Sequence, residues 1–373
     1  MSESTLDTVE RADPAEPTFE PATIPARRRM LRLGDRTDSR ENNFDLLRLF
    51  AAWGVLVSHS FALTGRAEPL HQFGTTLGNV SVLVFFAISG LLIHRSWSYD
   101  PTPRRFWSKR ALRLFPGLLV VSMLTAFVLG PVVTSVPLGT YATSLETWIY
   151  PVRVTLLAPF GAQLPGVFDG NEFPSAVNGP LWSLPVEVAA YAMLATAGVL
   201  GLLRHPRIVL AIALMAVVWA HFWSNAVGDT LAQLGVLAGF AVGSAAYTFR
   251  SRIPLDWRLA LLVAGVAAAT ADTSLRGAVW TVAIAYLTFW FAYALPPLGR
   301  WLTRHGDASY GVYIYAWPMQ QTIVWACNDS IGPWILIGVA TPVVWLLAQA
   351  SWHLVEHPAL RRKPRARAAA PAS

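Results

Sequence analysis

The sequence predicts an all-α protein, a polytopic membrane bundle of about ten transmembrane helices with both termini in the cytoplasm. Three observations predict it. Apolar residues make up 54% of the chain and charged residues only 14%, well below the ~25% of an ordinary soluble domain. The apolar residues fall in runs close to the ~20 residues that a helix needs to cross a hydrocarbon core ~30 Å thick. The lysines and arginines fall on alternate sides of those runs.

The runs are 44–64, 77–95, 112–133, 180–201, 207–224, 230–249, 258–271, 276–295, 308–327 and 333–354. The run at 258–271 is short and rich in alanine. Many of the 16 tryptophans lie near the ends of runs, where aromatic belts form at bilayer surfaces. Segment 145–165 is interrupted by Pro151, Pro159 and Pro165, and reads as an interfacial helix or loop. If every run spans, the N-terminal tail, the loops after the second, fourth, sixth and eighth runs, and the C-terminal tail share one side. That side holds all of the 29 lysines and arginines except Arg66, Arg153 and Arg276 opposite and Arg48 inside the first run. The positive-inside rule makes it the cytoplasmic side of a plasma or inner membrane.

Residues 1–43 are polar and rich in Pro, Glu and Arg, and read as a disordered cytoplasmic tail. Arg27, Arg28 and Arg29 resemble a twin-arginine signal. They are followed by Asp35, Arg36, Asp38, Arg40 and Glu41, so no apolar signal core comes next. Residues 44–357 form the membrane domain. Residues 358–373, with Arg361, Arg362, Lys363, Arg365 and Arg367, read as a disordered basic tail. The long segment at about 134–179 is either a cover over an outer cavity mouth or a solvated connector.

Composition also excludes some classes. The net charge of +7 is spread between apolar runs and tails, so no nucleic-acid partner is expected. The single cysteine, Cys327, supports neither an intrachain disulfide nor a cysteine metal site. No His/Asp/Glu cluster has metal-ligand spacing, so no metal is expected. Neither a glycine-rich nucleotide loop nor a nucleophile elbow is present.

An ionisable group at the centre of a span costs ~2.5–3.5 kcal/mol and needs a reason to be there. Arg48 and His59 lie eleven positions apart on the first run. Eleven residues make about three turns and ~16 Å of rise, so both project from one face. Arg48 then either snorkels to headgroups or serves a site. His59 is either a satisfied interhelical hydrogen bonder or a general base. Glu187 is the one acid deep in a run. It lies ~10 Å below the outer surface and His59 ~8 Å below it. The two meet if the first and fourth runs pack together, and a carboxylate there orients an imidazole. Otherwise Glu187 pairs with another polar group. Arg110 and Arg113, three apart before the third run, share a face. They are either a phosphate-binding fork or positive-inside anchors.

Five short stretches then come in an order that is similar to one family. Asn43 to His59 carries a basic residue, ten intervening residues and a histidine. Phe85-Phe86-Ala87-Ile88-Ser89-Gly90 follows, then Arg110-Ala111-Leu112-Arg113, then Trp182-Ser183-Leu184-Pro185-Val186-Glu187. Last come Ser309-Tyr310-Gly311-Val312-Tyr313 and Trp317-Pro318. Over about residues 40–357 the chain resembles the acyltransferase-3 family of membrane acyltransferases. Many members have His just before the Trp-Pro pair, where this chain has Ala316, so a second catalytic histidine there is excluded and a distinct subgroup is indicated.

The resemblance implies transfer of a short acyl group, often acetyl from acetyl-CoA, onto a hydroxyl of a carbohydrate or glycosylated acceptor. The acyl-CoA acts as co-substrate, with no tightly bound cofactor. Membrane lipid and a carbohydrate or glycolipid acceptor are the other expected partners. On this reading Arg110 and Arg113 hold the CoA phosphates. Arg48 guides the pantetheine arm, of order 15–20 Å and comparable with the Arg48–His59 rise. His59 is the general base or carries a transient acyl group, and Glu187 orients it or binds the sugar. Trp182 either stacks on a sugar ring or packs in the core. Ser183, Tyr310 and Tyr313 complete the expected substrate side. A secondary transporter or flippase of lipid-linked sugars is the alternative, since spans with buried charge fit that class too. No internal repeat is visible to favour it.

Overall fold

A computed structural model of the chain describes residues 30–39, 41–73, 75–158, 162–174, 176–226, 235–303 and 306–362. The described residues from Leu31 onward form one compact unit, all-helical apart from two isolated bridges. Twelve helices concern us. They are α1 (Phe44–Ala62), α2 (Leu77–Tyr99), α3 (Pro103–Leu124) and the short α4 (Leu138–Thr143) and α5 (Leu145–Thr155). Next come α6 (Ser183–Val199), α7 (Pro206–Ala226), α8 (Val236–Thr248) and α9 (Trp257–Ala269). The last are α10 (Arg276–Ala294), α11 (Ser309–Ala326) and α12 (Pro333–Ser351). Each predicted run has its helix, and the proline-broken segment forms α4 and α5. Five helical stretches among the described residues are long and apolar enough to cross a membrane: Leu77–Tyr99, Pro103–Val133, Gly179–Val199, Arg276–Ala294 and Pro333–Arg361.

Local chemistry sets the helix ends. The Thr76 hydroxyl accepts from the Asn79 N–H at 3.0 Å and starts α2. Asp256 accepts from Arg258 and Leu259 and starts α9. Pro103 and Pro333 occupy the first turns of α3 and α12, where a missing N–H costs nothing.

Helix α2 is central. It packs most extensively on α8 and also on α1, α6 and α10. Glycine permits the α2–α8 approach. A Cβ on Gly90 would stand 2.0 Å from the Phe240 carbonyl oxygen, and one on Gly243 would stand 2.2 Å from the Ala87 carbonyl oxygen. Close backbone contact of this kind is how apolar helices associate where lipid offers no hydrophobic drive. Helix α1 packs against α2, α11 and α12.

Two prolines leave carbonyls that helices cannot satisfy, and side chains complete them. Helix α3 runs on to Val133 through a wide turn at Thr125–Leu129, in which the Gly130 N–H reaches the Thr125 carbonyl. The Ala126 carbonyl would then face Pro131, which has no N–H. The Tyr141 hydroxyl donates to it at 2.7 Å. In α11, Pro318 removes the partner of the Ile314 carbonyl, and the Asn178 side-chain amide donates to it at 3.0 Å.

The N-terminal disorder expected up to residue 43 does not hold from Leu31 onward. Leu33 is fully buried; its N–H reaches the Ile253 carbonyl at 2.9 Å, and the Leu255 N–H reaches the Leu31 carbonyl at 2.8 Å. An apolar Leu31–Leu33 pair finds a pocket against the 250–255 turn, which polar composition averaged over the whole tail conceals. Residues 358–361 belong to a last helical turn, His357–Arg361. Residues 1–29, 40 and 363–373 of the expected tails lie outside the described residues.

Alanine at Gly90 or Gly243 is expected to cost about 1–3 kcal/mol, since neither backbone can yield. Alanine at Gly338, whose Cβ would meet nothing within 4 Å, is expected to be neutral or stabilising. Thermal midpoints of the three purified variants in one detergent check the contrast.

Candidate active site

Helices α1 and α11 run in the same direction. Arg48, near the start of α1, lies 3.8 Å from Asp307, just before α11. Further along, the His59 ring meets the Trp317 ring edge-on at 4.8 Å between centroids. The two ends of this helix pair therefore carry different chemistry, a basic end and an imidazole end.

At the basic end lies a cavity of about 350 Å³ between α1, α2, α3, α6 and α11. Arg48, Lys109, Arg110 and Arg113 line its mouth. Ser89, Glu187 and Tyr191 line its middle. The deepest lining residues on their helices are Val82 and Phe85 of α2, Ser183 of α6 and Tyr313 of α11.

The two arginines of the expected fork differ in their surroundings. Arg113 is neutralised: its guanidinium lies 2.5 Å from Asp307 and 3.5 Å from Glu356. Asp307 also accepts from the Ser309 N–H at 3.2 Å and from the Ser309 hydroxyl. Burial pushes the Asp307 carboxyl up, but Arg113 and Arg48 outweigh it and hold the group below its ordinary value. Glu356 is buried and accepts from the Ser351 hydroxyl at 3.0 Å. Arg110 has no carboxylate partner among the described residues. It stacks over Phe106 at 4.1 Å and donates to the Phe106 carbonyl at 3.2 Å, and its Nε is buried without a partner. A guanidinium held this way keeps its charge available to an incoming anion. Lys109 and Arg105 both engage Asp100, at 3.2 and 2.7 Å. The Arg105 hydrogen bonds hold that carboxyl well below the usual range.

In the middle of the cavity, Ser89 donates to Glu187 Oε1 at 3.0 Å and the Tyr191 hydroxyl donates to the same oxygen. Tyr191 stands one turn after Glu187 on α6, so the carboxylate is fixed by its own helix and by α2. Deeper in, the Tyr313 hydroxyl donates to the Pro180 carbonyl at 2.6 Å, so the Ser183 hydroxyl, 2.5 Å away, donates to Tyr313. Tyr310 donates to the Leu114 carbonyl at 2.7 Å and holds α11 against α3.

Arg48, Arg110, Arg113, Glu187, Ser183, Tyr310 and Tyr313 thus line one cavity. His59 and Trp182 do not. Trp182 caps the start of α6 and is half-buried against the core. His59 lies one turn of α11 beyond Tyr313, against Trp317, with its Nδ1 buried and unpartnered. The expected contact between His59 and Glu187 does not form, and no hydrogen bond joins them. Equal depth left the direction around each helix open: α1 faces α11 where His59 projects, while Glu187 projects toward α2. Sequence reasoning also passed over Asp307 and Glu356. Three arginines converging on one cavity imply countercharge, and that was the available signal.

The fold and the cavity define a class: a helical membrane protein with a basic, half-enclosed cavity running inward between its helices. The model of the acyltransferase-3 family, described as an acyltransferase domain, matches residues 41–352, and the chain belongs to that family. It is 30% identical over 334 residues to an O-acetyl transferase of Shigella phage Sf6, covering 87% of this chain and 97% of that one. It is also 30% identical over 360 residues to nodulation protein 10 of Rhizobium leguminosarum bv. viciae, covering 88% and 95%. No solved structure matches it. The chain is an acyl-transferring enzyme, which decides between the enzyme and transporter readings.

Asp307→Asn leaves Arg113 with Glu356 at 3.5 Å and Arg48 with Asp45 at 3.8 Å, and is expected to cost about 1.5–3 kcal/mol for the charged hydrogen bond lost, read as a lower thermal midpoint at neutral pH. In the native chain the Asp307 carboxyl is held down, so its stabilisation is present above the ordinary carboxylate range. It is lost only as pH falls through the depressed value. A midpoint-against-pH series on both proteins checks this: the two curves should converge only at strongly acidic pH.

Proposed function

We propose that this enzyme moves a short acyl group, acetyl from acetyl-CoA, onto a hydroxyl of a carbohydrate or glycosylated acceptor, with His59 as general base. We also infer that all ten helices matching the apolar runs span the plasma or inner membrane, with both termini and the basic cavity mouth in the cytoplasm. The observation that carries the reading is the imidazole of His59. Its Nδ1 has no protein partner and is shut from solvent, on a helix whose other end opens into an arginine-rich cavity. A buried structural histidine has its Nδ1 partnered, as His94 Nδ1 is by the Ser244 hydroxyl at 2.8 Å. A ring left unpartnered in an apolar setting awaits a proton donor. The acetyl group and the oxygen acceptor come from the name of the phage Sf6 relative.

In this reading CoA enters from the cytoplasm and Arg110, with its uncommitted charge, takes its phosphates. Arg113 and Arg48 shape the mouth while remaining tied to Asp307. The Glu187 carboxylate accepts from the amide N–H groups of the pantetheine arm instead of orienting His59. The arm passes Tyr313 and Ser183 toward the Trp317 layer. The distance suits it, since Arg48 and His59 are ~16 Å apart along α1. At His59 the acceptor oxygen attacks the thioester carbonyl carbon while its proton passes to the imidazole. The C–S bond breaks as the C–O ester forms, and the departing sulfur recovers the proton.

Purified protein with radiolabelled acetyl-CoA and candidate sugars tests the activity directly. His59→Ala should lower transfer by at least about 100-fold, the low end of general-base contributions, with the thermal midpoint retained; undiminished transfer overturns the assignment. Arg110→Ala should raise the KM for acetyl-CoA about tenfold or more at near-normal stability. An unchanged KM would return Arg110 to the role of topology anchor.

A further inference from the structure

A second set of buried groups surrounds Trp317, outside the cavity. The Trp317 Nε1–H donates to the Ala176 carbonyl at 2.6 Å. A Cβ on Gly179 would lie 3.1 Å from the same indole. The segment 176–179 therefore wraps the ring that His59 meets from α1. Asn178, in that segment, spends its amide N–H on the Ile314 carbonyl left open by Pro318. Its Oδ1 is buried with no partner. One turn after Trp317, Gln320 reaches back to α1, donating to the Leu56 carbonyl at 2.8 Å and to Ser60 Oγ at 2.6 Å. Leu56, His59 and Ser60 share one helix face by their spacing, so Gln320 stands beside His59. Gln320 is fully buried, and its Oε1 also has no partner.

The orientation of both amides is fixed by the carbonyls they serve, because a carbonyl oxygen can only accept and so must face the amide NH2. Each side chain is thus left with a bare acceptor oxygen in the layer around Trp317, whose ring meets the candidate base. An unpaired buried acceptor is costly and calls for a donor. A hydroxyl supplies one, whereas a thioester or an ester oxygen does not.

We propose that Gln320 Oε1 and Asn178 Oδ1 are the acceptor-binding groups of this enzyme, taking hydroxyl protons on either side of the hydroxyl that His59 deprotonates. The acceptor is then a polyol, a sugar ring with free hydroxyls flanking the acylated one, and not an isolated alcohol. This rests on the reading of His59 as base. Access is from the side of residues 171–174 and 176–179. Phe173 packs on Trp317 at 6.0 Å, and Asn171 donates to Gln321 at 2.7 Å.

The test uses the full-length protein in detergent with radiolabelled acetyl-CoA. Methyl α-D-glucopyranoside is the polyol probe and cyclohexanol the single-hydroxyl control. The native enzyme should label the glucoside and not cyclohexanol. Gln320→Met should raise the KM for the glucoside about tenfold, one hydrogen bond to a substrate hydroxyl, while the KM for acetyl-CoA and the thermal midpoint stay unchanged. Gln320→Glu retains an acceptor oxygen, so its glucoside KM should lie nearer that of the native enzyme, which keeps the test valid if Gln320→Met fails to fold. Equal labelling of both probes, no labelling of the glucoside, or an unchanged glucoside KM in both variants overturns the proposal and leaves these oxygens to bound water. Transfer retained by His59→Ala would instead remove the base assignment, and the Gln320 variants would still report on the subsite.

Discussion

The Asp307 carboxylate is shared between Arg113 at 2.5 Å and Arg48 at 3.8 Å, and the arrangement of the cavity mouth depends on it. Three helices meet there, because Arg48 belongs to α1, Arg113 to α3 and Asp307 precedes α11. These groups are only partly exposed, and in that setting opposite charges hold one another in place. The pairing aligns the start of α1 with the start of α11. With both helices rising at the same rate per residue, that alignment carries His59 to the level of Trp317. The ion cluster at one end thus sets what the imidazole meets at the other.

The same cluster separates the roles of two arginines that the sequence presents as equivalent. Arg113 gives its charge to Asp307 and Glu356 and becomes part of the framework. Arg110, one turn earlier, is braced by an aromatic ring and a backbone carbonyl, neither of which cancels its charge. A cavity meant for a polyanion needs both kinds of residue: countercharge to hold the mouth in shape, and uncommitted charge to bind.

Proline serves the bundle in a similar way. Pro131 and Pro318 each remove a helical donor, and each freed carbonyl is met by a side chain from a neighbouring segment. Tyr141 thereby fastens α4 to the end of α3, and Asn178 fastens the approach to α6 against α11. The second of these brings an amide to the Trp317 layer, where its remaining oxygen, like that of Gln320, is buried without a partner. Close packing of α2 on α8 through Gly90 and Gly243 gives the rigid wall behind the cavity.

Apolar runs and the charges between them were sufficient to read the helices, because burial in a bilayer is a property of composition over ~20 residues. The ordered motifs were sufficient to read the family, and helical spacing alone put Arg48 and His59 on one face. Which face met which neighbour was decided only by packing. His59 and Glu187 share a depth, yet α1 turns His59 to α11 while α6 turns Glu187 to Ser89 and Tyr191. Likewise, nothing in the order of residues distinguishes Arg110 from Arg113, or places Asn178 and Gln320 against the carbonyls of Ile314 and Leu56. Depth is additive along a chain and legible from it. The direction of a side chain around its helix becomes meaningful only when the other helices have taken their places, since contacts, countercharges and unpaired oxygens are properties of pairs of segments.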